Sequence, residues 1–478
     1  HGCRAGGSRD KRFAVHFAPS SAAMLSRRSV AAAQRRFFSS TNIVSTLQSR
    51  IQALADQKAP QFQALKKEHG GKPIGDVTVE MAIGGMRGIK AMVYETSNLD
   101  AEEGIRYRGR TLDECMEQLP KANANSKVGL PEAAFWLLLT NEVPTSAEIQ
   151  AFNAELHARS TVPDNVLKMI DSMDKNTHPM TQLAIALLAL QPDSKFANAY
   201  RKGVKKTEYW TYALEDSVTL IAQIPIVAAR IYRNVFFNGQ HIAPDTSLDW
   251  AGNYAHMLGV NDSEEFKDVT RLYLMLHADH EGGNVSAHTT HLVGSALSDP
   301  YTAYAAGVCG LAGPLHGLAN QECLRWLKNT RQALGNQEPT VELLTQFAKD
   351  TLASGKVIPG FGHGVLRKTD PRYTIQQTFA KENMPNDELF KLANVCFEAI
   401  PPVLQATGKV KNPWPNVDAL SGTCMQYYGL DQEDYFTVVF AVSRALGCTS
   451  SLVWSRMMGL PIERPKSVTL DWLTQNVK

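Results

Sequence analysis

The sequence predicts a mostly helical protein with one short β-hairpin near the start of its folded part. Apolar residues recur at helical spacing through most of the chain, whereas alternating apolar residues around a glycine pair occur near residues 76–96. A chain of 478 residues also exceeds what one hydrophobic core usually supports. We therefore expect one large domain and a second, smaller one.

The N-terminal residues have a different composition from the rest of the chain. From Met24 the sequence MLSRRSVAAAQRRFFSSTN is rich in arginine and serine, and no acidic residue follows before Asp56. This composition is typical of an organellar transit peptide, and we expect cleavage near Phe38. A basic, disordered tail is the alternative. Residues 1–41, in which Met24 is the candidate initiator, are excluded from the predicted fold.

Charge and cysteine content exclude several classes of protein. A net charge of +2 gives no general field for nucleic acid or a membrane surface, so an anionic ligand needs a local cluster of cations. Seven scattered cysteines without a C-x-x-C pair favour a reducing compartment. The most apolar run, residues 435–454, contains Arg444, which would be costly in lipid. We expect this run to be a buried helix and expect no membrane insertion.

The secondary-structure elements follow from local patterns. The hairpin is predicted in DVTVEMAIGGMRGIKAMVYET, with its turn at Gly84-Gly85. Residues 216–236 are apolar nearly all round, which indicates a buried helix with a kink at Pro225.

Two later helices are predicted from their start signals and their periodicity. One is begun by Pro339 and Thr340, and the other has Asn386 as its N-cap. Glycine and proline cluster in three loops between helices, and such loops usually carry function. The loops are GLAGPLHG (310–317), VIPGFGHG (357–364) and NPWPNVDALSG (412–422).

A histidine-rich stretch, LHADHEGGNVSAHTTH, raises the question of a metal site. His277 and His280, like His288 and His291, are spaced so that each pair could share a helix face. A zincin would need H-E-x-x-H, whereas Glu281 falls outside the first pair, and Gly282-Gly283 should end the first helix. A metal is therefore the weaker hypothesis, and some of these histidines are expected to be structural.

Three further residues in the loops could carry chemistry. His316 precedes an apparent helix at Leu318, whose dipole would keep its imidazole neutral. His363 is flanked by glycines that allow a ligand close to the backbone. Asp418 lies ahead of a helix that Ser421 or Gly422 could begin. It could be a capping residue in a turn or a shielded carboxylate base.

Three arginines are candidates for binding carboxylates. Arg444 lies in the apolar sequence VVFAVSRALG, where an unpaired guanidinium would be very costly, so it must face a buried acid or a ligand anion. Arg372 and Arg464 could serve the same purpose, although surface salt bridges are a good alternative for both. By themselves these patterns predict an enzyme that acts on a small polyanion.

Six motifs, taken in order, resemble those of the citrate synthase family, and the resemblance runs from about Asn42 to the end of the chain. It is strongest to the mitochondrial eukaryotic branch. The motifs are HADHEGGNVSAH, GLAGPLHGLANQE, PGFGHGVLRKTDPRY, NPWPNVDALSG, FAVSRALG and GLPIERPKS.

The resemblance implies a nearly all-α homodimer located in the mitochondrial matrix. It implies a large domain formed by residues 42–317 and 423–478, and a small domain, residues 318–422, that closes over the substrates. It also implies that oxaloacetate and acetyl-CoA are converted to citrate and CoA. No metal and no tightly bound cofactor are expected, because acetyl-CoA is a co-substrate.

The resemblance also implies a role for each matching residue. Asp418 would take a proton from the acetyl methyl group, His316 would stabilise the enol or enolate, and His363 would polarise the carbonyl of oxaloacetate. The residues implied to bind oxaloacetate are His280, Arg372, Arg444 and, from the partner subunit, Arg464. Residues implied near CoA are Arg87, Lys206, Pro359, Gly360, Gly362 and Arg367.

Two positions depart from the pattern of animal relatives. Leu420 stands where many of them have histidine, so the surroundings of the implied base are expected to differ while Asp418 itself is retained. Lys206 stands where they have arginine; lysine keeps the charge but loses the fork-shaped set of donors, so this contact stays an open question.

Other functions remain as alternatives. 2-Methylcitrate synthase would use propanoyl-CoA on the same scaffold, and one methylene changes binding by only ~1–3 kcal/mol. A non-catalytic assembly protein with this fold is opposed by the joint presence of Asp418, His316 and His363.

Overall fold

The computed structural model describes residues 42–335 and 337–477, and these residues are mainly α-helical, which confirms the predicted all-α class. The predicted transit peptide lies outside the described residues.

The first half of the fold contains α1 (Ile43–His69), α2 (Val79–Ile83), α3 (Leu112–Gln118), α4 (Pro131–Thr140), α5 (Ser146–Arg159), α6 (Asp164–Ser172), α7 (Pro179–Ala189), α8 (Lys195–Arg201), α9 (Tyr209–Phe236) and α10 (Trp250–Leu258). The second half contains α11 (Glu264–Leu276), α12 (Val285–Ser295), α13 (Pro300–Leu311), α14 (Ala319–Ala333), α15 (Val341–Ala353), α16 (Pro371–Asn383), α17 (Glu388–Ala406), α18 (Asp418–Tyr427), α19 (Phe436–Met457) and α20 (Leu470–Asn476).

A small antiparallel sheet near the N-terminus confirms the predicted hairpin but corrects its position. Its strands, in the order β1 (Ser97–Asp100), β2 (Gly104–Tyr107) and β3 (Arg110–Thr111), begin just after the predicted segment 76–96. Within that segment, the Thr78 side chain accepts the Met81 N–H at 3.2 Å and starts helix α2. A local N-cap has therefore overridden the alternating pattern.

The sheet supports the end of helix α11. Tyr107, at the end of β2, is fully buried, and its hydroxyl donates to the carbonyl oxygen of Met275 at 3.0 Å. The same hydroxyl accepts the Asp279 N–H at 3.3 Å. The sheet therefore fixes the histidine-rich segment that follows α11.

The core is built around α19, in which nearly every residue is buried, as predicted for the apolar run at 435–454. It packs against α9, α4, α12, α11 and α13. By length and composition, two helices could cross a membrane: α9 and α19, each taken with the turn before it. Their most apolar 18-residue stretches, however, are 78% and 100% buried within the described fold. Here they are core helices.

Helix boundaries differ in detail from the predictions. The helix predicted at 216–236 begins earlier, at Tyr209, and continues through Pro225. Thr340 is the N-cap of α15, as expected. The N-cap of α17 is Asp387 rather than Asn386, because the Asp387 carboxylate accepts the Phe390 N–H at 2.8 Å.

Helices α14 to α18 pack extensively against one another. They also contact the rest of the fold, chiefly through α18 against α11 and α14 against α19. The predicted boundary at residue 422 falls inside α18. The division into two domains stays a prediction.

The close approach of α19 to the loop after α11 gives a test of the packing. A Cβ added at Gly447 would lie 2.4 Å from the carbonyl oxygen of Ala278 and 2.6 Å from Asp279 Cβ. We expect Gly447→Ala to lower the free energy of unfolding by about 1–3 kcal/mol, measured by urea or thermal unfolding. Gly75→Ala, where nothing lies within 4 Å, is the control and should change it by less than about 0.5 kcal/mol. If the two variants were equally stable, the loop after α11 would have moved to accommodate the added methyl group without cost.

Candidate active site

The histidine-rich stretch between α11 and α12 is a loop in its first half. Helix α11 ends just before His277, which is its C-cap, so His277 and His280 do not share a helix face and that prediction is wrong. Glu281 has a φ of 55°, a conformation that residues other than glycine adopt rarely and that often marks functional sites. Asn284 then caps α12.

Asp279 anchors this loop to the N-terminal part of the chain. Its buried carboxylate accepts hydrogen bonds from the hydroxyls of Tyr94, at 2.9 Å, and Thr96, at 2.8 Å. Burial raises the pKa of Asp279, while the hydrogen bond from Thr96 and the charge of Arg444 oppose the rise. The sequence pattern around Asp279 does not predict this role, because its partners lie more than 180 positions away.

Arg444 is a buried cation at the centre of the site. Its Nε donates to the carbonyl oxygen of His277 and its Nη1 to Asn284 Oδ1, both at 3.0 Å. The guanidinium carbon lies 4.8 Å from the centre of the Phe440 ring. Arg444 is 1% exposed, yet it forms no salt bridge with any described residue. Arg444 influences the buried Asp279 through its charge but forms no salt bridge with it, so the second predicted partner, a ligand anion, remains to be supplied.

His316 is held by the first turn of α12. Its Nε2 accepts the Ser286 N–H at 3.2 Å and lies 2.9 Å from Ser286 Oγ. The neutral ring therefore carries its proton on Nδ1. Burial lowers the pKa of His316 to about 3, and the charge of Arg444 adds to the effect. The ring is neutral, as predicted, and burial is the largest cause of its lowered pKa. Ser286 had not been singled out from the sequence.

His363 has the opposite arrangement of its proton. Its Nδ1 accepts the backbone N–H groups of Val365 and Leu366, both at 3.0 Å, so the neutral ring carries its proton on Nε2. Burial lowers the pKa of His363 to about 4, and Arg372 contributes to the shift. The centre of its ring lies 5.5 Å from that of His280.

His280 presents an unpaired polar atom to this site. Its Nε2 is buried and has no hydrogen-bond partner among the described residues. Burial lowers the pKa of His280 well below its ordinary value, and the charges of Arg372, His363 and Arg444 add to the effect. A buried orphan atom of this kind requires an explanation, and a bound ligand supplies one.

Arg372 is a second buried cation, and the alternative of a surface salt bridge is wrong for it. It is 4% exposed, and its Nε and Nη2 donate to the two carboxylate oxygens of Asp370 at 3.0 and 2.6 Å. Asp370 also caps α16 by accepting the Arg372 N–H. In the sequence KTDPRY, Asp370 has the pattern of an ordinary helix cap. That pattern does not predict its pairing with Arg372.

Two loops are joined next to His363. Gly362 N–H donates to the carbonyl oxygen of Trp414, and Asn416 N–H donates to that of Gly360, both at 2.9 Å. Gly360 has a φ of +81°, and a Cβ there would lie 3.0 Å from Ala419 Cα, so only glycine fits. The predicted PGFGHG loop is therefore fixed beside the start of α18.

Asp418 is the first residue of α18, so the helix begins earlier than the predicted start at Ser421 or Gly422. Its carboxylate forms no hydrogen bond or salt bridge with any described residue. Burial raises the pKa of Asp418 to about 7; Arg372 opposes the rise and Asp370 adds to it. A carboxylate tuned in this way can act as a base near neutral pH.

A row of aromatic rings connects the surroundings of Asp418 to His316. Tyr273 stacks on His277 with ring centres 4.0 Å apart, and His277 meets Phe440 at 4.9 Å. Phe440 in turn lies 6.2 Å from the His316 ring. Burial raises the pKa of Tyr273, and the charge of Asp418 contributes to the rise. Asp418 and His316 form no hydrogen bond with each other, so the Asp418 carboxylate and the His316 Nδ1–H are both available to a third group.

Other predicted residues are not part of this cluster. The side chains of Arg87, Lys206 and Arg464 are exposed and form no hydrogen bond or salt bridge with any described residue. Arg367 is exposed and donates to the carbonyl oxygen of Val365 at 2.7 Å, so it remains on the loop that begins at the half-buried Pro359.

The second pair of histidines does lie on one face of α12, as predicted. His288 and His291 both face the Glu463 carboxylate. Among residues 42–335 and 337–477, no group of three or more histidine, cysteine or acidic side chains has the geometry to hold a metal ion. The histidine-rich stretch therefore divides into a ligand-facing part and a structural part.

Comparisons with known proteins show the family to which the chain belongs. Residues 85–466 match the family model described as citrate synthase, C-terminal domain. The chain is 53% identical over 432 residues to the mitochondrial citrate synthase of Daucus carota, covering 90% of this chain and 91% of that protein. It is 52% identical over 433 residues to that of Saccharomyces cerevisiae, covering 91% and 90% respectively.

The fold is also similar to that of solved structures. The citrate synthase of Pyrobaculum aerophilum has a TM-score of 0.71 at 26% identity, covering 84% of this chain and 95% of that one. A complex of carboxymethyl coenzyme A and oxaloacetate with the Thermoplasma acidophilum citrate synthase has a TM-score of 0.69 at 20% identity, covering 83% and 97%. From the family model and the identities above, the chain belongs to the citrate synthase family.

Proposed function

We propose that this chain is a mitochondrial citrate synthase that condenses acetyl-CoA with oxaloacetate and releases citrate and CoA. The observation that carries this proposal is a buried site holding two arginines, two neutral histidines and an unpaired carboxylate whose pKa is about 7. Acetyl-CoA acts as a co-substrate, so the reaction needs no tightly bound cofactor and no metal. The relatives' mitochondrial names and the arginine-rich start of the chain support the location in the matrix.

Oxaloacetate is a dianion, and the site offers matching cations. Arg444 has no salt bridge among the described residues, so a substrate carboxylate would supply the missing counter-charge. Arg372 supplies a second buried guanidinium, oriented by Asp370. The free Nε2 of His280 and the Nε2–H of His363 are then available to the rest of the substrate, and His363 donates to the keto oxygen.

Acetyl-CoA is activated by a base and a hydrogen-bond donor acting together. The α-hydrogen of a thioester is only weakly acidic, so Asp418 removes it while the His316 Nδ1–H stabilises the oxygen of the enolate that forms. The enolate carbon attacks the keto carbon of oxaloacetate, whose oxygen is hydrogen-bonded by the Nε2–H of His363. This oxygen gains one proton and becomes the hydroxyl of citryl-CoA, which balances the proton that Asp418 took from the methyl group. Hydrolysis of the resulting citryl-CoA releases citrate and CoA. An oxyanion donor of this kind is worth about 2.7–4 kcal/mol in the transition state.

The site is formed between the proposed large domain, residues 42–317 and 423–478, and the small domain, residues 318–422, which closes over the substrates. The contact of the PGFGHG loop with the start of α18 supports a small domain that moves as one body. The residues proposed to contact CoA are Arg87, Lys206, Pro359, Gly360, Gly362 and Arg367. The first two are exposed lysine and arginine side chains suited to phosphate groups.

A homodimer completes the proposal. Apolar side chains on α7 and α12, which both pack against α13, are exposed in the single chain, among them Ile185, Leu188 and Leu292. A second copy of the chain would bury this face. Arg464 is exposed and free of ion pairs among the described residues, as expected of a residue that reaches into the partner's site. No nucleic acid or membrane takes part.

The proposed base can be tested by removing its carboxylate. We expect Asp418→Ala to reduce kcat for citrate formation by ~10²–10⁴-fold, because the acetyl proton then has no acceptor. The measurement is CoA release, with oxaloacetate binding followed separately to show that the site is intact. Asp350→Ala, an exposed carboxylate on α15 that accepts only from Gln346, should leave kcat unchanged. Undiminished turnover in Asp418→Ala would reject the assigned base.

The pKa values predict a specific pH dependence. Because the pKa of Asp418 is raised to about 7, its ionised, basic form is lost as pH falls through 7. The two histidines have pKa values of about 3 and 4 and stay neutral throughout. We expect kcat/KM for acetyl-CoA to fall about tenfold per pH unit below 7 and to level off above it. A flat profile down to about pH 5.5 would contradict this assignment.

The choice of acyl group is tested by comparing acetyl-CoA with propanoyl-CoA. We expect kcat/KM to be at least ~10-fold higher for acetyl-CoA, since the extra methylene must be accommodated in a pocket shaped for a methyl group. Both rates are measured as CoA release at saturating oxaloacetate. Comparable or faster turnover of propanoyl-CoA would identify the chain as a 2-methylcitrate synthase.

A further inference from the structure

The segment that carries Arg464 is tied down by the residue before it. Glu463 Oε2 lies 3.2 Å from His288 Nε2, and its Oε1 lies 3.1 Å from His291 Nδ1. The second contact has the distance of an ion pair but not the angle of a hydrogen bond. Glu463 N–H also donates to Ser295 Oγ at 3.0 Å. We call this group, Glu463 with His288, His291 and Ser295, the tail clasp.

The tail clasp is the attachment point of an otherwise loosely held segment. Residues 461–469 form no helix or strand, and all of them except Glu463 are exposed. Between residues 461 and 468, every hydrogen bond and salt bridge that the structure describes is made by Glu463. Removing its side chain would leave this stretch held mainly by its ends.

The clasp connects the tail to the helix that builds the site. All three of its partners lie on α12, and the first turn of this helix provides Ser286 to His316. The Asn284 cap of the same helix receives a hydrogen bond from Arg444. A rigid helix thus relates the position of residue 463 to the groups that face the substrate.

The electrostatics of the clasp favour a carboxylate in this place. His291 is largely buried, and burial lowers its pKa, while the negative charge of Glu463 opposes that shift and Arg456 and His288 reinforce it. The other ring nitrogen of His291 lies 3.5 Å from Ser455 Oγ. The acid is thus set among histidines and a nearby arginine, without another acid in contact with it in the described residues.

We propose that Glu463, held by His288 and His291, is a positioning residue that sets Arg464 for binding oxaloacetate in the partner's site. The inference rests on the proposed role of Arg464 across the dimer. Only the backbone bonds between two adjacent residues separate the clasp from Arg464, and the peptide bond between them is rigid. Fixing residue 463 therefore restricts where the guanidinium of Arg464 can go, and binding requires less ordering of the tail.

The test compares single and double variants of the dimeric enzyme. Glu463→Ala should raise KM for oxaloacetate by ~10–100-fold, as expected when a binding group is misplaced by about an ångström. It should change kcat and KM for acetyl-CoA by less than about twofold. Arg464→Ala should raise the same KM. In the Arg464→Ala background, Glu463→Ala should add less than about twofold, because both changes remove one interaction.

The control variant is Glu388→Ala, which removes a surface carboxylate that pairs with Arg331 and Lys391. It should leave kcat and the KM values for oxaloacetate and acetyl-CoA unchanged. If Glu463→Ala does not fold, Glu463→Gln keeps the size of the side chain and should give a smaller rise in the same KM.

The outcomes distinguish an error in the tail clasp from an error in the proposed role of Arg464. A rise in KM for Arg464→Ala but not for the Glu463 variants, or additive effects in the double variant, would overturn the clasp alone. Unchanged kinetics in Arg464→Ala would overturn the proposed role of Arg464 and the clasp with it. Citrate formation by the wild-type enzyme is measured alongside and is independent of both.

Discussion

The buried guanidinium of Arg444 is the constraint around which the site is arranged. An isolated charge in a protein interior is very costly unless polar groups surround it. Here a helix C-terminus provides the His277 carbonyl oxygen, a helix N-cap provides Asn284, and the face of Phe440 lies beside the cation. Three segments therefore meet because α19 brings a charge into the core. The cation is solvated by neutral groups and keeps its attraction for an anion, which an internal carboxylate would have cancelled.

Burial by itself sets the protonation states of the two histidines and the carboxylate in the site. Taking a side chain out of water disfavours its charged form, which lowers the pKa of a histidine and raises that of an acid. The same cause leaves His316 and His363 neutral and brings the pKa of Asp418 to about 7. Backbone N–H groups decide the tautomers, so that one ring exposes Nδ1–H and the other Nε2–H. Acid–base chemistry at neutral pH thus follows from packing together with a few hydrogen bonds.

The sequence predicted the features that rest on local pattern and the residues that stand out by type. The helical class, the buried run around Arg444 and the face shared by His288 and His291 follow from periodicity, which burial imposes directly. The sequence did not predict Asp279 or Asp370, because each looks like an ordinary polar residue until partners distant in sequence are placed beside it. The misplaced hairpin has a similar cause. An alternating pattern was outweighed by the hydrogen bond of a single threonine.

The join between the glycine loop and the start of α18 has a consequence for how the site can assemble. The φ of Gly360 and its contact with Ala419 leave no space between the two segments, and Phe361 pairs with Pro415 as in a strand ladder. A displacement of one segment must carry the other with it. His363 and Asp418 therefore move together. In the proposed reaction this couples proton removal from acetyl-CoA to the activation of oxaloacetate, so an enzyme with only one of the two groups in place would not consume the thioester.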